Sequence, residues 1–436
     1  MGKSFKIITL GCKVNQYESA HLEERLGSAG WTRAAERSDI TIVNTCIVTR
    51  RAASQSRQAI RKAIRENPEG FTAAVGCYGQ VFPGELERIE GLDLVGGNAG
   101  KGGLPENLMK DVAGNRPRVI TRPFSETEPF PFLPIKKFPG RTRAFVKIQD
   151  GCQAFCSYCI VPFARGPSRS LEPHRVLTML RELAGEGFKE AVLTGIHLGK
   201  YGADLRPPVS LTGLLKMIGR EGLPVRFRLS SLEPNEIGPD LISMMASQDW
   251  LCRHFHIPLQ SGDDEILKRM NRYYRARDFA ELIEQIHGSI PHVAIGVDIM
   301  AGFPGEGQRA FENTFALIEG LPVSYLHVFP YSPRKGTAAA SFPDRIDERI
   351  IKERTSALRA LGAQKRQAFY KTCLGEDFRV LTEGWESEDR QRIKGLSDNY
   401  LPVSFPSSKH LQNCMVSVHM ERVEEEGLVG KVFPAS

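Results

Sequence analysis

Three cysteines fall within eight residues in "DGCQAFCSYCIVP": Cys152, Cys156 and Cys159, spaced C-x3-C-x2-C. No other feature restricts the fold as tightly. Thiols that close together converge on one centre, and the loop that carries them needs a rigid base. At this spacing one loop can wrap three thiolates around a corner of an iron–sulfur cube, leaving the fourth iron open to a small molecule. A zinc knuckle is the competing reading, but structural zinc takes four closed ligands. No fourth Cys or His follows at a suitable distance. Disulfides are not needed either. A chain of 436 residues, 41% apolar and 25% charged, can bury a core without covalent staples. The apolar runs fall far short of the ~20 residues that span a bilayer. The opening "MGKSFKIITLG" reads as a strand and is too short for a signal peptide. A cytoplasmic protein with no membrane partner and nine reduced cysteines is therefore expected.

Strand-like and helix-like segments alternate on both sides of that loop, which predicts an α/β protein. Residues 1–98 pair "FKIITLG", "ITIVNTC", "TAAVGCYGQ" and "LDLVGG" with intervening helices, as in an N-terminal parallel α/β domain. Residues 99–142 are rich in proline, lack a period and read as a linker that carries Lys136, Lys137 and Arg141, with Arg143 just beyond. Residues 143–348 hold six candidate strands, "AFVKI", "EAVLTGI", "VRFRLSS", "HFHIPLQ", "VAIGVDIMAG" and "SYLHVFPY". Six βα units fit a partial (β/α)6 barrel better than an eight-fold one. Residues 349–373 form a helix with seven Lys/Arg and one acid between Arg349 and Lys371, a candidate face for phosphates. Residues 374–436 suggest a small C-terminal β-barrel. That last segment has eight basic and eleven acidic residues from Lys371 onward, so RNA contact there would need a local patch such as Arg390, Arg392 and Lys394. Overall the chain carries a net charge of +7, which favours a polyanionic partner.

The remaining cysteines sort themselves by position. Cys12, Cys46 and Cys77 each sit just past the C-terminal end of a predicted strand. In a parallel sheet those ends share one edge, where ligands bind. Three thiols at equivalent places in successive units predict a second three-cysteine centre. Any one of them alone would read as a small buried apolar residue. Cys252, Cys373 and Cys414 show no such pattern and are taken as structural.

These motifs together resemble the methylthiotransferases, radical S-adenosylmethionine (SAM) enzymes with an N-terminal cluster domain, a central radical SAM barrel and a C-terminal TRAM domain. The resemblance covers essentially the whole chain. "TLGCKVNQYES", "KIQDGCQAFCSYCIVPFARGPSRS", "LTGIHLGKYGADL" and "LSSLEPNEI" are similar to the group that modifies threonylcarbamoyladenosine in tRNA. The isopentenyladenosine-modifying group usually begins "GCQMN" and the ribosomal-protein group "GCPKN", whereas this chain has "GCKVN". "CYGQ" departs from the expected "CYAQ" at Gly79, outside the ligand set.

The resemblance implies two [4Fe–4S] clusters and SAM as cofactors. The cluster on Cys152, Cys156 and Cys159 would bind and reduce SAM, and the resulting 5′-deoxyadenosyl radical would take the hydrogen from carbon 2 of the adenine. Cys12, Cys46 and Cys77 would hold the cluster that delivers sulfur, and a second SAM would supply the methyl. The partners implied are the tRNA anticodon stem-loop, an electron donor and a sulfur source. It further implies SAM contacts from Tyr158, Thr194, Gly195, Ser231, Glu233, Gln260, Ser261 and Arg272, with "GFPGE" ending the fifth barrel strand. Each has a plain alternative as a turn residue, and Arg272 lies in a basic run, "KRMNRYYRAR". The histidines, including His197, His254, His256 and His327, show no metal spacing and read as core residues or supports of the site. Competing readings are the same chemistry on a ribosomal protein, a non-catalytic iron–sulfur carrier, and an RNA-binding module. The basic helix and linker argue against a basic protein tail as substrate.

Anaerobically reconstituted protein is expected to hold about eight irons per chain, and the triple Cys152, Cys156 and Cys159→Ala variant about four. A single zinc per chain in metal analysis would overturn the cluster reading.

Overall fold

The computed structural model describes residues 3–109, 118–136, 138 and 140–432. Lys137 of the basic linker lies outside the described residues. The N-terminal domain is a six-stranded, all-parallel sheet of β1 (Ser4–Thr9), β2 (Thr32–Arg33), β3 (Ile40–Thr45), β4 (Phe71–Gly76), β5 (Leu94–Gly96) and β6 (Arg118–Ile120), in the order β2-β1-β3-β4-β5-β6. The central strand β3, "ITIVNT", is buried at every residue, because helices cover both faces of such a sheet. Helix α1 (Lys13–Ser28) follows β1, and α2 (Arg50–Glu66) follows β3. The start of α2 is fixed by Thr49, whose Oγ1 accepts a hydrogen bond from the Ala52 N–H at 3.0 Å.

The stretch read as a linker is more ordered than its prolines suggest. Arg118–Ile120 pairs with β5 and extends the sheet, satisfying an edge that would otherwise expose its backbone. Leu133, Ile135 and Phe138 are buried in the core of the central domain. Tyr17 of α1 donates its hydroxyl hydrogen to the Leu133 carbonyl. Apolar side chains spaced along an aperiodic segment thus act as anchors that no helical or strand period announces.

The central domain has the six expected barrel strands. They are β7 (Arg143–Lys147), β10 (Glu190–Thr194), β11 (Arg226–Leu229), β12 (His254–Gln260), β13 (Ala294–Ala301) and β14 (Tyr325–Pro330); the short antiparallel pair β8 (Gln149–Asp150) and β9 (Arg169–Ser170) brackets the three-cysteine loop. The barrel strands form two parallel sheets, β11-β10-β7 and β12-β13-β14, joined by a bridge between Phe227 and Leu251. Side chains alternate as a strand requires. Ala191, Leu193, Phe227, Leu229, Ile257, Leu259, Val297 and Ile299 pack outward among helix residues such as Val176, Leu214 and Phe279. The alternate set, with Glu190, Arg228, His256 and Asp298, faces the barrel interior.

Helix Glu348–Thr372 leads to a closed barrel of β15 (Asp377–Trp385), β16 (Arg392–Ser397), β17 (Pro402–Pro406), β18 (Met415–Glu424) and β19 (Gly427–Val432), in the order β15-β16-β17-β19-β18. This barrel closes the foot of the central one. Arg226 donates to the carbonyls of Arg379 and Leu396, both at 2.7 Å, and Arg228 to those of Ser397 and Asp398 at 2.9 and 2.8 Å. Glu190 neutralises both guanidinia at 2.7 and 2.9 Å. Tyr400 stacks on His254 with ring centres 4.5 Å apart.

Part of the basic helix turns its cations toward the protein, while Arg349, Lys352, Arg359, Arg366 and Lys371 are exposed. Arg354 pairs with buried Glu306 at 2.8 Å, and Arg359 donates to the Val328 carbonyl at 3.3 Å. Lys365 caps the carbonyls of Glu319 and Leu321 at 2.5 and 2.8 Å, where helix Gln308–Gly320 ends. The helix covers β14, and Gly362 lets it approach so closely that a Cβ there would meet the Leu326 Cβ at 3.0 Å. Cations on the covered side therefore satisfy carbonyls rather than RNA. In the C-terminal barrel Arg392 is likewise held by Glu386 and Glu424, at 2.8 and 3.1 Å. Among the described residues no helix is long and apolar enough to cross a membrane.

Burial opposes the charge on Glu190, but Arg228 and Arg226 overcome it and hold its carboxyl at about 2. A depressed carboxyl stabilises the fold fully above its ordinary value near 4.5 and loses that contribution as pH falls toward 2. Glu190→Gln is expected to cost about 3–5 kcal/mol at neutral pH, because two buried guanidinia lose their counter-ion. It should also flatten the acid side of a stability–pH profile measured by thermal unfolding.

Candidate active site

Each N-terminal cysteine follows the C-terminal end of a strand: Cys12 after β1, Cys46 after β3 and Cys77 after β4. Two glycines make the turns possible. Gly11 has φ +97°, and a Cβ there would lie 2.9 Å from the Cys46 Cβ; Gly76 has φ +98°, and a Cβ there would lie 2.6 Å from Asn44 Oδ1. L-residues rarely adopt that backbone region. The main chain thus turns tightly enough to bring sulfurs from three loops together. Cys12 is the N-cap of α1, and Cys77 is the first residue of the short helix Cys77–Val81. Asn98 Nδ2 donates to Cys77 Sγ at 3.4 Å and to the Ala164 carbonyl at 2.8 Å, tying this group to the central domain. Burial pushes the Cys46 thiol up to about 12, and the neighbouring Cys77 and Cys12 add to the shift. Cys12 lies at the exposed rim, yet the protein mass around it raises its thiol too, against the pull of Arg165.

Beneath these sulfurs lies a buried charge cluster. Arg165 Nη1 meets Glu18 Oε1 at 2.6 Å and its Nη2 meets Asn15 Oδ1 at 2.5 Å. Lys101 Nζ and Lys147 Nζ hold the same carboxylate at 2.5 and 3.2 Å. Lys147 also pairs with Asp150 at 3.1 Å, and Arg169 lies 3.8 Å from it. Burial works against the Glu18 carboxylate, yet Arg165, Lys101 and Lys147 hold it well below the usual range. Four buried cations here face two carboxylates, and the Nε atoms of Arg165 and Arg169 have no hydrogen-bond partner. Excess positive charge out of water needs anionic compensation. Three thiolates carrying a metal cluster supply negative charge at that place, so the residues present fit such a group.

The loop of Cys152, Cys156 and Cys159 is equally well prepared. The Cys152 N–H donates to the Gly166 carbonyl at 3.0 Å and the Cys159 N–H to that of Cys156 at 2.9 Å. Donors surround the sulfurs: His197 Nδ1 lies 3.3 Å from Cys152 Sγ, and Arg272 Nη1 lies 3.6 Å from Cys156 Sγ. Such outer hydrogen bonds orient metal thiolates and tune their potential. His197 Nε2 lies 2.8 Å from Glu236. Burial lowers the His197 pKa, but Cys152 and Glu236 together raise it to about 10. Burial pushes the Cys159 thiol up to about 12. Gln149 organises the loop from below, with its Nε2 donating to the carbonyl of Gly151 at 2.8 Å and its Oε1 accepting from the His197 N–H at 2.7 Å.

Beside this loop opens a cleft of about 490 Å³ lined by Cys156, His197, Glu233, Asn271, Arg272 and Tyr273, among others. Of the eight side chains expected to touch SAM, Glu233 and Arg272 line it. They also bind each other: Arg272 Nη1 donates to Glu233 Oε1 at 3.0 Å and Nη2 to Oε2. The guanidinium is further held by the Pro258 carbonyl at 2.9 Å. Arg272 is thus a fixed, paired cation on the wall of the cleft. Tyr158 packs against Ile266, Met270 and Phe303. Thr194 is buried, with its carbonyl accepting from the Ile148 N–H at 3.0 Å, and Gly195 lies so close to Gln149 that a Cβ would sit 2.8 Å from Oε1. Ser231 bonds His256 Nδ1 at 2.5 Å. Gln260 takes φ +68° where the β12–β13 register breaks. Ser261 is fully buried beside Thr314 Oγ1 at 3.4 Å and serves the turn. Glu306 of "GFPGE" accepts from the Gly302 N–H at 2.9 Å and pairs with Arg354, which ties that motif to the long helix.

Sequence reasoning missed the Glu18–Arg165 joint, the contact of His197 with Cys152, and a polar group on the inner barrel wall. In that group His256 Nε2 and His327 Nδ1 lie 2.9 and 3.3 Å from Asp298 Oδ1. The signal available was alternation: these residues share the inward phase of three successive strands.

Residues 146–318 match the radical SAM superfamily, and residues 4–97 match a family described as Uncharacterized protein family UPF0004. The chain is 36% identical to threonylcarbamoyladenosine tRNA methylthiotransferase MtaB of Bacillus subtilis, over 94% of this chain and 92% of that protein. It is 36% identical to the protein of the same name from Aquifex aeolicus, over 91% and 95%. It is 33% identical to tRNA-2-methylthio-N(6)-dimethylallyladenosine synthase of Moorella thermoacetica, over 99% and 98%. In fold it is similar to the radical S-adenosylmethionine methyltransferase TsrM from Kitasatospora setae, with a TM-score of 0.56, 16% identity, and coverage of 76% of this chain and 77% of that one. This is therefore a radical SAM enzyme, a class that uses a [4Fe–4S] cluster and SAM. Within that class the chain belongs to the tRNA methylthiotransferase family, whose members transfer sulfur-containing groups.

Arg165→Met, made in the Cys152, Cys156 and Cys159→Ala background, is expected to lose most of the roughly four irons left there. The substitution leaves Glu18 short of a buried partner, at a cost of about 3–5 kcal/mol. Full iron retention in metal analysis would show that Arg165 does not support the N-terminal centre.

Proposed function

We propose that this protein adds a methylthio group to threonylcarbamoyladenosine beside the tRNA anticodon. The observation that carries this reading is the pairing of two three-cysteine centres across the Glu18–Arg165 joint, in a chain aligned over nearly its full length with relatives named for that reaction. Cys152, Cys156 and Cys159 hold one [4Fe–4S] cluster, and Cys12, Cys46 and Cys77 hold a second. Bound there, the clusters and SAM supply a radical able to open an unactivated C–H bond and a sulfur to place on the carbon.

The chain's own residues position and shield that chemistry. His197 and Arg272 direct N–H donors at Cys152 and Cys156, and the Arg272–Glu233 pair gives the cleft a fixed polar wall. Arg165, six residues beyond Cys159, reaches into the N-terminal domain, so the loop of one centre is braced against the seat of the other. Tyr400 and the Glu190 cluster close the barrel foot, which keeps bulk water from entering there. An electron donor and a sulfur source complete the set of partners.

Similarity to the dimethylallyladenosine enzyme keeps that nucleoside as the second reading. The substituents differ physically. A threonylcarbamoyl group brings a carboxylate, a hydroxyl and a urea, and polar groups built to receive them would be left unpaired by an apolar chain, at about 1–3 kcal/mol each.

Transfer RNA from cells lacking one or the other precursor modification separates the readings when the nucleosides are analysed by mass after anaerobic reaction with SAM. Product is expected only where threonylcarbamoyladenosine is present; product confined to isopentenyladenosine would replace the substrate assignment. Cys12→Ala is expected to keep reductive SAM cleavage and lose the methylthio product. Full product from that variant would remove the N-terminal centre from the reaction.

A further inference from the structure

Three successive strands of the central barrel bring metal-ligating side chains to one spot on its inner wall. His256 lies on β12, Asp298 on β13 and His327 on β14. Asp298 and His327 are register partners on neighbouring parallel strands, so their side chains share a face. His256 comes from β12, on the other side of β13. His256 Nε2 and His327 Nδ1 lie 2.9 and 3.3 Å from Asp298 Oδ1 and 3.2 Å from each other. None of the six clustered cysteines belongs to this group.

Hydrogen bonding does not account for the whole triangle. Asp298 Oδ1 is shielded from water, yet no donor points at it in line. One proton shared between the two ring nitrogens leaves that oxygen still without a donor. A shared cation satisfies all three atoms at once. Bonds of about 2.0–2.2 Å to one ion set neighbouring ligand atoms roughly 2.8–3.4 Å apart, whether it takes four ligands or six. The three edges of the triangle fall in that range. The surroundings suit the same role. Ser231 Oγ lies 2.5 Å from His256 Nδ1. With its Nδ1 proton on that hydroxyl, His256 keeps the Nε2 lone pair for the centre. The Tyr325 ring packs beside both imidazoles, with its centre 6.4 Å from that of His256 and 5.3 Å from that of His327, and its hydroxyl is bonded to His254 Nε2 at 2.7 Å.

We propose that His256, Asp298 and His327 bind one divalent transition-metal ion on the inner wall of the central barrel, as a site additional to both cysteine centres. Two imidazoles and one carboxylate are a donor set for first-row metals. His327 is half-exposed, so the open side of the ion faces space that a water or another oxygen donor can enter. The inference does not depend on which nucleoside the enzyme modifies.

The test uses full-length protein reconstituted anaerobically, with clusters on the cysteines, and zinc(II) chloride as the probe. Zinc is chosen because nitrogen and oxygen sites bind it more tightly than iron(II) or manganese(II). After gel filtration, metal analysis is expected to find about one zinc per chain beside about eight irons. X-ray absorption at the zinc edge should show only nitrogen and oxygen neighbours, at about 2.0–2.2 Å, with outer scattering from imidazole. His327→Phe and Asp298→Ala should each lose that zinc and keep the wild-type iron content, which serves as the control for folding. Ser231→Ala removes only the outer partner of His256 and should weaken zinc binding about 10- to 100-fold. Wild-type protein that retains no zinc overturns the inference. So does zinc bound through sulfur at about 2.3 Å, which places it on cysteines. A His327→Phe protein with wild-type iron content and undiminished zinc binding overturns it as well.

Discussion

The carboxylate of Glu18 is the joint on which the arrangement of this enzyme depends. It receives Arg165 and Lys147 from the central domain and Lys101 from the N-terminal one, all within 3.2 Å and all out of water. Ion pairs so deep gain little net stability over apolar packing, but removing one partner is costly. What the joint achieves is position. Arg165 belongs to the same loop region as Cys159, while Glu18 and Asn15 lie on the helix that Cys12 begins. A shift of either domain would separate donors from acceptors that have no water to replace them.

The same logic operates at the foot of the barrel. Glu190, Arg226 and Arg228 stand on adjacent strands, and the two arginines send their remaining donors to backbone carbonyls of the C-terminal barrel. That domain is acidic overall, and what it offers the central barrel is carbonyl oxygen and the ring of Tyr400, over which Arg228 lies at 5.2 Å. Its docking is a matter of hydrogen-bond geometry more than of net charge. The long helix shows the same economy: Arg354, Arg359 and Lys365 secure it to the barrel, so a count of its cations overstates what it offers to RNA.

The cysteines themselves are held in reserve. Burial keeps the Cys46 and Cys159 thiols near 12, so both are protonated at neutral pH without metal. Metal thiolates form as ligand protons are released, and the surrounding cations favour the anionic product. The excess of positive charge under the N-terminal trio and the donors around Cys152 and Cys156 would each offset negative sulfur if metal bound there.

The sequence by itself determined the parts whose signal is local. Three thiols in one short loop, strand–helix alternation, and cysteines at three strand ends each follow from spacing and period, and the structure contains the parallel sheet, the six-stranded partial barrel and the closed C-terminal barrel they imply. It did not reveal that the proline-rich stretch adds an edge strand and buries Leu133 and Ile135, because single anchors in an aperiodic segment leave no pattern. Nor did it reveal that Arg272 is tied to Glu233, that Glu18 meets Arg165, or that His256 and His327 flank Asp298. Those pairs join residues from 29 to 147 positions apart. Charge pairing depends on distance in space, and only the closed tertiary structure sets that distance.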